Sequence, residues 1–396
     1  MDHEIQFASA TAQGRDIGET TRTIAESILN QIGHLPIDLL IVFLSPHFAR
    51  GSAFVTDNLR DALHPRVMLG CTAEGVIGRA DEFEHQAAIS VIAAHLPHVE
   101  ILPFALNPED WGDMLEVRMP FEEALGAPHN TQLFILLADP FSTPMDGMLD
   151  AFNRFYPGVP MVGGMASGSA RAKGNSLLLN ERVFIEGAVG VALRGAFQVD
   201  VVVSQGCRPI GQPYTITDAR ENMIYAIEGE PPLPHIQSLI ERLAPSDQAL
   251  LKNGLFIGRA IDPTKLEQGR GDFLVRGLMG VDHESGAIAI GDHVHAGETI
   301  QFHLRDATTA TEDLEMLLTP QMFFDQPSGA LLFSCNGRGT RLYPHPNGDI
   351  KTIQDVLGGV NLAGFFCAGE IGPIGGKNFL HGQTASIALF RPANPT

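Results

Sequence analysis

The sequence predicts a mixed α/β protein of two lobes, each made of layered sheets with helices, built from repeated strand–helix–strand–strand blocks plus an antiparallel meander. Continuous apolar runs of strand length, such as Leu39–Leu44 and Leu133–Ala138, are typical of central strands buried on both faces. One layout of elements occurs three times along the chain. The region around residues 272–304 instead shows short strands separated by turn residues, which is the pattern of a meander.

Each repeat begins with an apolar run, continues through a helical stretch and reaches a second strand that ends among glycines before a third strand follows. The second strands contain Gly70, Gly163 and Gly364, and the first two copies both have the pattern G-x-x-A-x-G. Repetition at this length indicates duplication of a folded block rather than a solenoid of short repeats. We therefore interpret the shared glycines as architecture.

Capping residues predict several helix boundaries. Pro144 is expected at a first helical position, and Thr309 with Glu312 forms a capping box ahead of an apolar stretch. Asp349 is expected to cap a helix over 350–357, which Gly358 ends.

The meander is expected to contain strands over Phe273–Val281, Ala287–Ile290 and Thr299–Leu304. The stretch 197–211 is the expected bridge between the two halves of the chain. The prolines within 231–234 predict a second joint that is not helical.

The charge balance excludes several classes of partner. The net charge is −20 and the pI is about 5.1, whereas nucleic acids and anionic membrane surfaces are bound through Lys and Arg. The N-terminus has no signal-peptide pattern, no apolar run is long enough to span a membrane, and the four cysteines form no C-x-x-C pair. These features predict a cytoplasmic, reduced protein without disulfides, bound metal or cofactor.

The segment 334–390 is the most informative part of the chain for function. Two apolar runs in it end among glycines and charged groups, and such strand ends commonly hold ligands. The segment has more Lys and Arg than Asp and Glu although the chain is acidic, which favours a small anionic ligand. The candidate ligand-binding residues are Gly337, Arg338, Gly339, Cys367, Glu370, Lys377, Asn378 and His381, together with Arg208 on the bridge.

These residue types suit an amino acid as ligand. The planar fork of Arg338 matches a carboxylate, and its flanking glycines let backbone approach the ligand. Glu370 is a partner for an ammonium group, Lys377 adds a point charge, and Asn378 offers both a donor and an acceptor. The alternative is that Arg338 and Glu370 pair with each other and brace two strand ends. Arg208 either reaches a cleft between the halves or is a surface charge.

The second hypothesis is an enzyme that uses Cys367 or Cys71 as a nucleophile, because Cys367, Glu370 and His381 together offer a thiol and a nearby base. A free cysteine at a buried strand end is more often a small apolar filler, and no nucleophile elbow, P-loop or dinucleotide-binding fingerprint is present. His293 and His295 fall on one predicted strand face, where solvated side chains beside a turn are favoured over a metal site.

At its glycine motifs the chain resembles the FIST family, bacterial sensory proteins whose domains also occur in F-box proteins. The stretch Gly70-Cys-Thr-Ala-Glu-Gly75 is similar to the glycine motif of the N-terminal FIST domain. The longer and more specific C-terminal motifs are matched in order by Gly211, Ile261, Arg305-Asp306, Cys335-x-Gly337-Arg338-Gly339 and Gly364-Phe-Phe-x-x-Gly-Glu370-Ile-Gly.

The resemblance implies an N-terminal FIST domain over 1–205, with two internal copies, and a C-terminal FIST domain over 206–396. It implies a cytoplasmic sensor of a small ligand, with amino acids the usual proposal, coupled to signalling partners. The two domains use up the length of the chain, so the signal is expected to leave through a separate signalling protein or through oligomerisation. A protein–protein adaptor is a third hypothesis, which a large exposed apolar patch away from the glycines would favour.

Overall fold

Each predicted repeat is a folded block in the computed structural model, which describes residues 4–262, 264–265, 268–269 and 271–393. The blocks form a three-sheet unit (Met1–Val203, Leu314–Leu380 and Thr384–Thr396), and a second, barrel unit comprises Ser204–Asp313 with His381–Gln383. This mixed α/β architecture with several mixed sheets confirms the predicted fold class.

The first two blocks have nearly the same order of elements. The first contains β1 (Gln6–Gln13), α1 (Ile17–Ile32), β2 (Leu39–Leu44), α2 (Ser52–Leu63), β3 (Val67–Thr72), β4 (Gly75–Ile77), β5 (Glu82–Glu84) and β6 (Ala88–His95). The second contains β7 (Val99–Leu106), α3 (Trp111–Glu116), α4 (Arg118–Leu125), β8 (Leu133–Ala138), α5 (Met145–Phe155), β9 (Met161–Met165), β10 (Leu177–Leu179), β11 (Arg182–Phe184) and β12 (Ala188–Gly195).

The third block is interrupted after its first strand, β13 (Phe197–Gln205), by the barrel unit. The interruption contains β14 (Cys207–Arg220), β15 (Met223–Ile227), α6 (Pro232–Arg242), α7 (Pro245–Leu250), β16 (Leu255–Ala260), β17 (Phe273–Val281), β18 (Ile288–Ile290) and β19 (Thr299–Arg305). The block then resumes through α8 (Ala307–Leu318), β20 (Gly329–Cys335), α9 (Gly348–Leu357), β21 (Leu362–Cys367), β22 (Glu370–Ile374), β23 (Lys377–His381) and β24 (Thr384–Pro392).

The three blocks pair their strands in the same way, and each lends a hairpin to another block. In every sheet the two long central strands are parallel, and the block's last long strand runs antiparallel to the first of them. The hairpin β10–β11 completes the first sheet beside β3, β22–β23 completes the second beside β9, and β4–β5 completes the third beside β21. The repeat is therefore confirmed, while the exchange of hairpins was not predicted.

The repeated glycines lie at equivalent positions in the three sheets. A Cβ added to Gly70, Gly163 or Gly364 would stand 2.3, 1.9 or 2.1 Å from a carbonyl oxygen of the neighbouring parallel strand. No side chain fits at such a distance, so these glycines let the two central strands of each sheet approach each other. Their role is architectural, as expected.

The inner faces of the three sheets share one apolar core, and helices cover their outer faces. Phe43 of the first sheet contacts Phe333 and Phe365 of the third, with ring centroids 6.3 and 4.9 Å apart. The continuous apolar runs of the sequence are thus buried on both faces, as the pattern predicted.

The predicted meander is part of a closed antiparallel barrel with the strand order β14-β15-β18-β17-β16-β19. All three expected strands exist, and β17 pairs with β18 as expected. The strand β19 does not continue the meander, because it pairs with β14 and β16 and so closes the barrel.

Several helix boundaries differ from the prediction. The helix α6 begins within the proline-rich stretch that was expected to be a non-helical joint, because proline is tolerated in a first helical turn. Pro144 is the residue before α5 rather than its first residue. The helix α8 begins before Thr309, and Asp306 Oδ1 accepts the first backbone N–H groups, at 3.0 Å from Thr308 N. Gly358 ends α9 in a left-handed conformation, as predicted.

Candidate functional site

Arg338, the central residue of the predicted binding segment, is fully buried and bound to a carboxylate. Its Nε and Nη2 donate to the two oxygens of Asp349 at 2.8 and 2.6 Å, and Nη2 also donates to the hydroxyl of Tyr343 at 2.9 Å. Burial alone would raise the pKa of Asp349, but the guanidinium holds that pKa below its usual value. The ion pair between Arg338 and Asp349 was not predicted, because Asp349 was expected to cap α9.

Glu82, which lies in the first block, caps helix α9 of the third block. Its Oε1 accepts from the backbone N–H groups of Asp349 and Ile350, both at 3.0 Å. Its Oε2 is buried and has no hydrogen-bond partner among the described residues. Burial, followed by the nearby charge of Asp349, raises the pKa of Glu82 to about 8. The lent hairpin β4–β5 is therefore fixed to the third block through this carboxyl group.

Gly339, the residue after Arg338, lies against the same hairpin. Gly339 has φ +55°, and a Cβ on it would lie 2.7 Å from the carboxyl group of Glu84. That carboxyl group accepts from the backbone N–H of Thr340 at 2.8 Å, and Arg341 forms an exposed ion pair with Glu74. The segment following β20 therefore receives the first block's hairpin, and the close approach of Glu84 explains why residue 339 is glycine.

Glu370 is fully buried where β22 begins. Its Oε2 accepts from the backbone N–H of Thr384 at 3.2 Å and from the hydroxyl at 2.9 Å. Burial raises the pKa of Glu370 to about 8, and the bonds from Thr384 only partly oppose this. At neutral pH the carboxyl group is mostly protonated, which is unfavourable for binding an ammonium group.

The cysteines lie in surroundings that suppress thiolate formation. Cys71 and Cys367 are fully buried, and burial raises the pKa of both thiols well above the usual value. A Cβ on Gly164 would stand 2.6 Å from Cys367 Sγ. This close packing fits the apolar-filler interpretation and is unsuited to a nucleophile, which needs an exposed thiol of low pKa.

The remaining predicted site residues lie in different surroundings. Asn378 is buried and braces β9, because Oδ1 accepts from Met161 N at 2.8 Å and Nδ2 donates to Val159 O at 2.9 Å. Lys377 is exposed. Ligand binding by these residues, and by Gly337, Gly339 and Cys367, stays a prediction.

Two predicted residues belong to the barrel unit. His381 is buried there. Arg208 is bound to two carboxylates, with Nε donating to Asp306 Oδ2 at 2.9 Å and Nη2 donating to Asp247. Its guanidinium is therefore already compensated by carboxylates of its own unit.

The expected histidine pair is not on a strand, because residues 293–295 lie in an irregular segment between β18 and β19. The chain's described residues contain no group of three His, Cys, Asp or Glu side chains that could hold a metal ion.

The barrel unit has a concave site that the sequence analysis missed. This barrel pocket measures about 590 Å³ and is lined by Gly211, Gln212, Tyr214, Glu230, Pro234, His235, Ser238, Leu239, Arg242 and Leu243. Its volume lies in the range of small-molecule sites, and its lining combines apolar side chains with polar groups of both charges.

Helix α6 supplies most of the polar groups of the barrel pocket. His235, Ser238 and Arg242 are spaced by three and four residues, so they share one face of the helix. This spacing is present in the sequence, but the neighbouring prolines favoured a joint that is not helical. The ring of Tyr214 lies edge-on to that of His235, with centroids 5.2 Å apart. The buried Nε2 of His235 has no hydrogen-bond partner among the described residues, although Glu230 Oε2 lies 3.7 Å from it, so a ligand could supply the hydrogen bond.

Comparison with protein families matches the FIST N domain over residues 38–230 and the FIST C domain over residues 236–373. This chain belongs to the FIST family. FIST domains are sensory domains that bind small ligands. The two matches meet between residues 230 and 236, so the barrel pocket of this FIST protein takes residues from both domains.

Mycobacterial relatives share most of the length of this FIST protein. Uncharacterized proteins of Mycobacterium tuberculosis strains H37Rv and CDC 1551 are 40% identical over 349 residues, covering 86% of this chain and 89% of theirs. An uncharacterized protein of Mycobacterium bovis is 38% identical over the same length. Among solved structures, a cyanuric acid hydrolase from A. caulinodans aligns over 98% of this chain and 100% of its own, with a TM-score of 0.39 and 7% identity.

Where the structure describes this FIST chain, no helix has both the length and the apolar character that membrane crossing requires.

Proposed function

We propose that this FIST protein is a sensor for a small carboxylate, and for an amino acid in particular, and that the ligand occupies the barrel pocket. The observation that supports this is the cavity of about 590 Å³ lined by both Arg242 and Glu230. A zwitterion needs a cationic and an anionic partner within one small cavity, and this pocket offers both.

Each lining group has a role in this proposal. Arg242 receives the carboxylate through its planar fork, and Glu230 receives the ammonium group. Ser238 and the Nε2 of His235, which makes no hydrogen bond to the described residues and lies 3.7 Å from Glu230 Oε2, hydrogen-bond the polar parts of the ligand. Tyr214 forms the apolar wall, and its packing against Phe302, with centroids 5.8 Å apart, fixes the ring.

Thermal-shift and calorimetric titrations with the common amino acids and with small mono- and dicarboxylates test the proposal. A ligand at about 100 times its dissociation constant should stabilise the protein by about 2.7 kcal/mol. Arg242→Ala should weaken that ligand about tenfold or more, which is the effect of losing one charge-assisted contact. Arg220→Ala is the matched control, because Arg220 is also an exposed arginine of the barrel unit but does not line the pocket.

Glu230→Gln distinguishes the amino acid from a plain carboxylate. It should weaken amino acids and leave the affinity for the corresponding deaminated acids nearly unchanged. A ligand that binds the Arg242→Ala and Glu230→Gln variants as tightly as it binds the wild-type protein would rule out the barrel pocket. If Glu370→Gln weakened that same ligand, the glycine-rich segment predicted from the sequence would be its site instead.

A further inference from the structure

Three large apolar side chains lie exposed in succession on the three-sheet unit. Met322, Phe323 and Phe324 are 63%, 86% and 62% exposed, and we call them the aromatic ledge. Leu314 and Leu318 of α8 are buried in the core, and the short 3₁₀ turn that follows carries the ledge outward. Single exposed apolar residues are ordinary, whereas a contiguous group of aromatic and methionine side chains is typical of interaction surfaces.

An acidic groove begins at the aromatic ledge. Phe324 lines a depression of about 960 Å³ together with Glu4, Asp200, Asp325 and Arg391. The guanidinium carbon of Arg391 lies 5.7 Å from the Phe324 ring centroid, so ledge and groove are continuous. Arg391 Nη1 donates to Asp200 at 2.6 Å, which compensates one of the three carboxylates and leaves the groove with an excess of negative charge.

We propose that the aromatic ledge and the acidic groove together are the docking surface for a separate signalling protein, which presents a segment of basic and apolar side chains. The apolar side chains of such a segment cover Phe323 and Phe324, and its Lys or Arg side chains pair with the carboxylates of Glu4 and Asp325. The two rings expose on the order of 300 Å², roughly a third or more of one partner's share of a standard interface. The surface is distinct from the barrel pocket, because all its residues belong to the three-sheet unit.

Charge selects this occupant among the alternatives. A second copy of the chain would place two acidic grooves against each other, and like charges across an interface are unfavourable. An anionic membrane surface or a nucleic acid would be repelled by a chain whose net charge is −20. A basic partner is attracted by the negative electrostatic potential of the chain, and this attraction accelerates its association at low salt.

Fluorescence anisotropy with labelled synthetic peptides tests the proposal on the full chain. The probes are a library of dodecamers composed of Lys and Leu or Phe, the same peptides with Glu in place of Lys, and the same peptides with Ser in place of the apolar residues. The double variant Phe323→Ser/Phe324→Ser removes the ledge, and its side chains are exposed, so the fold is retained. Phe54→Ser is the matched control, because Phe54 is 56% exposed on α2 and lies outside the ledge and the groove.

The wild-type protein should bind the best basic–apolar peptide at least about tenfold more tightly than its acidic or its serine counterpart. The double variant should lose at least about tenfold in affinity, Phe54→Ser should lose none, and Asp325→Asn should weaken the basic peptide and reduce its salt dependence. Absence of binding by any library member, equal binding of acidic and basic probes, or equal loss in Phe54→Ser overturns the proposal. A wild-type dimer in light scattering that the double variant dissociates, or co-sedimentation with phosphatidylserine vesicles that it abolishes, also overturns it, in favour of a second copy or a membrane.

Discussion

Replacing Arg338 by methionine measures the contribution of the buried ion pair that follows β20. The side chains of Arg338 and Asp349 are both without exposed surface. Methionine would leave the Asp349 carboxylate buried, with hydroxyl donors from Ser334 and Tyr343 but without its cation. Removing one partner of a buried pair costs about 3–5 kcal/mol. Arg341→Met is the matched control, because Arg341 pairs with Glu74 at the surface, where such pairs contribute less than about 1 kcal/mol.

The measurement is urea unfolding at neutral pH, followed by circular dichroism, with the free energy of unfolding compared among the variants. Adding Asp349→Asn to Arg338→Met should recover part of the loss, because the uncompensated charge is then gone. The hydroxyls of Ser334 and Tyr343 donate to different oxygens of Asp349, so one keeps its acceptor in asparagine and the other accepts from the amide N–H. The reasoning is refuted if Arg338→Met costs no more than Arg341→Met. It is equally refuted if the double variant is less stable than Arg338→Met alone.

Three further predictions concern other buried positions. Because the pKa of Glu370 is raised to about 8, its protonated form contributes stability below about pH 4.5 that is lost as pH rises towards 8, so Glu370→Gln should flatten the fall of the melting temperature between pH 5 and 9. A slope unchanged by this variant would contradict the assignment. Cys71 and Cys367 should resist iodoacetamide in the native protein at pH 8 and react only after unfolding, as mass spectrometry of the alkylated chain would show. Gly163→Ala should destabilise the protein by more than about 2 kcal/mol in chemical unfolding, because its Cβ would meet a carbonyl oxygen at 1.9 Å, whereas Gly277→Ala has open space and should cost less than about 1 kcal/mol.

The elements that sequence reasoning located correctly are those with a strong local pattern. The continuous apolar runs identified the central strands, and the repeated glycines at Gly70, Gly163 and Gly364 revealed the three blocks. The lent hairpins were missed because strands of three to five residues carry too short a pattern, and because pairing between distant segments leaves no periodic signal. The register of the strands and the exchange of hairpins depend on contacts between segments that are distant in sequence, and these contacts form only in the folded chain.

The candidate site was harder to predict for a related reason. An arginine between glycines can bind the carboxylate of a ligand or a buried carboxylate of the protein itself. In this chain the partner of Arg338 is Asp349, whose position in the sequence indicated a helix cap instead. The polar face of α6, with His235, Ser238 and Arg242, had a helical spacing, but the proline at its start concealed it. A proline in the first turn of a helix does not interrupt the helix that follows it.

The exchange of hairpins has a consequence for the symmetry of the molecule. The second block gives to the first, the third gives to the second, and the first gives to the third, so the donations form a closed cycle of head-to-tail contacts. A contact of this kind closes into a ring when its rotation allows. A single block on its own would have a hairpin without an acceptor and a central strand without its neighbour. Three identical copies of one block could exchange hairpins in the same cycle, so the three-sheet unit has, within one chain, the strand connectivity of a cyclic trimer.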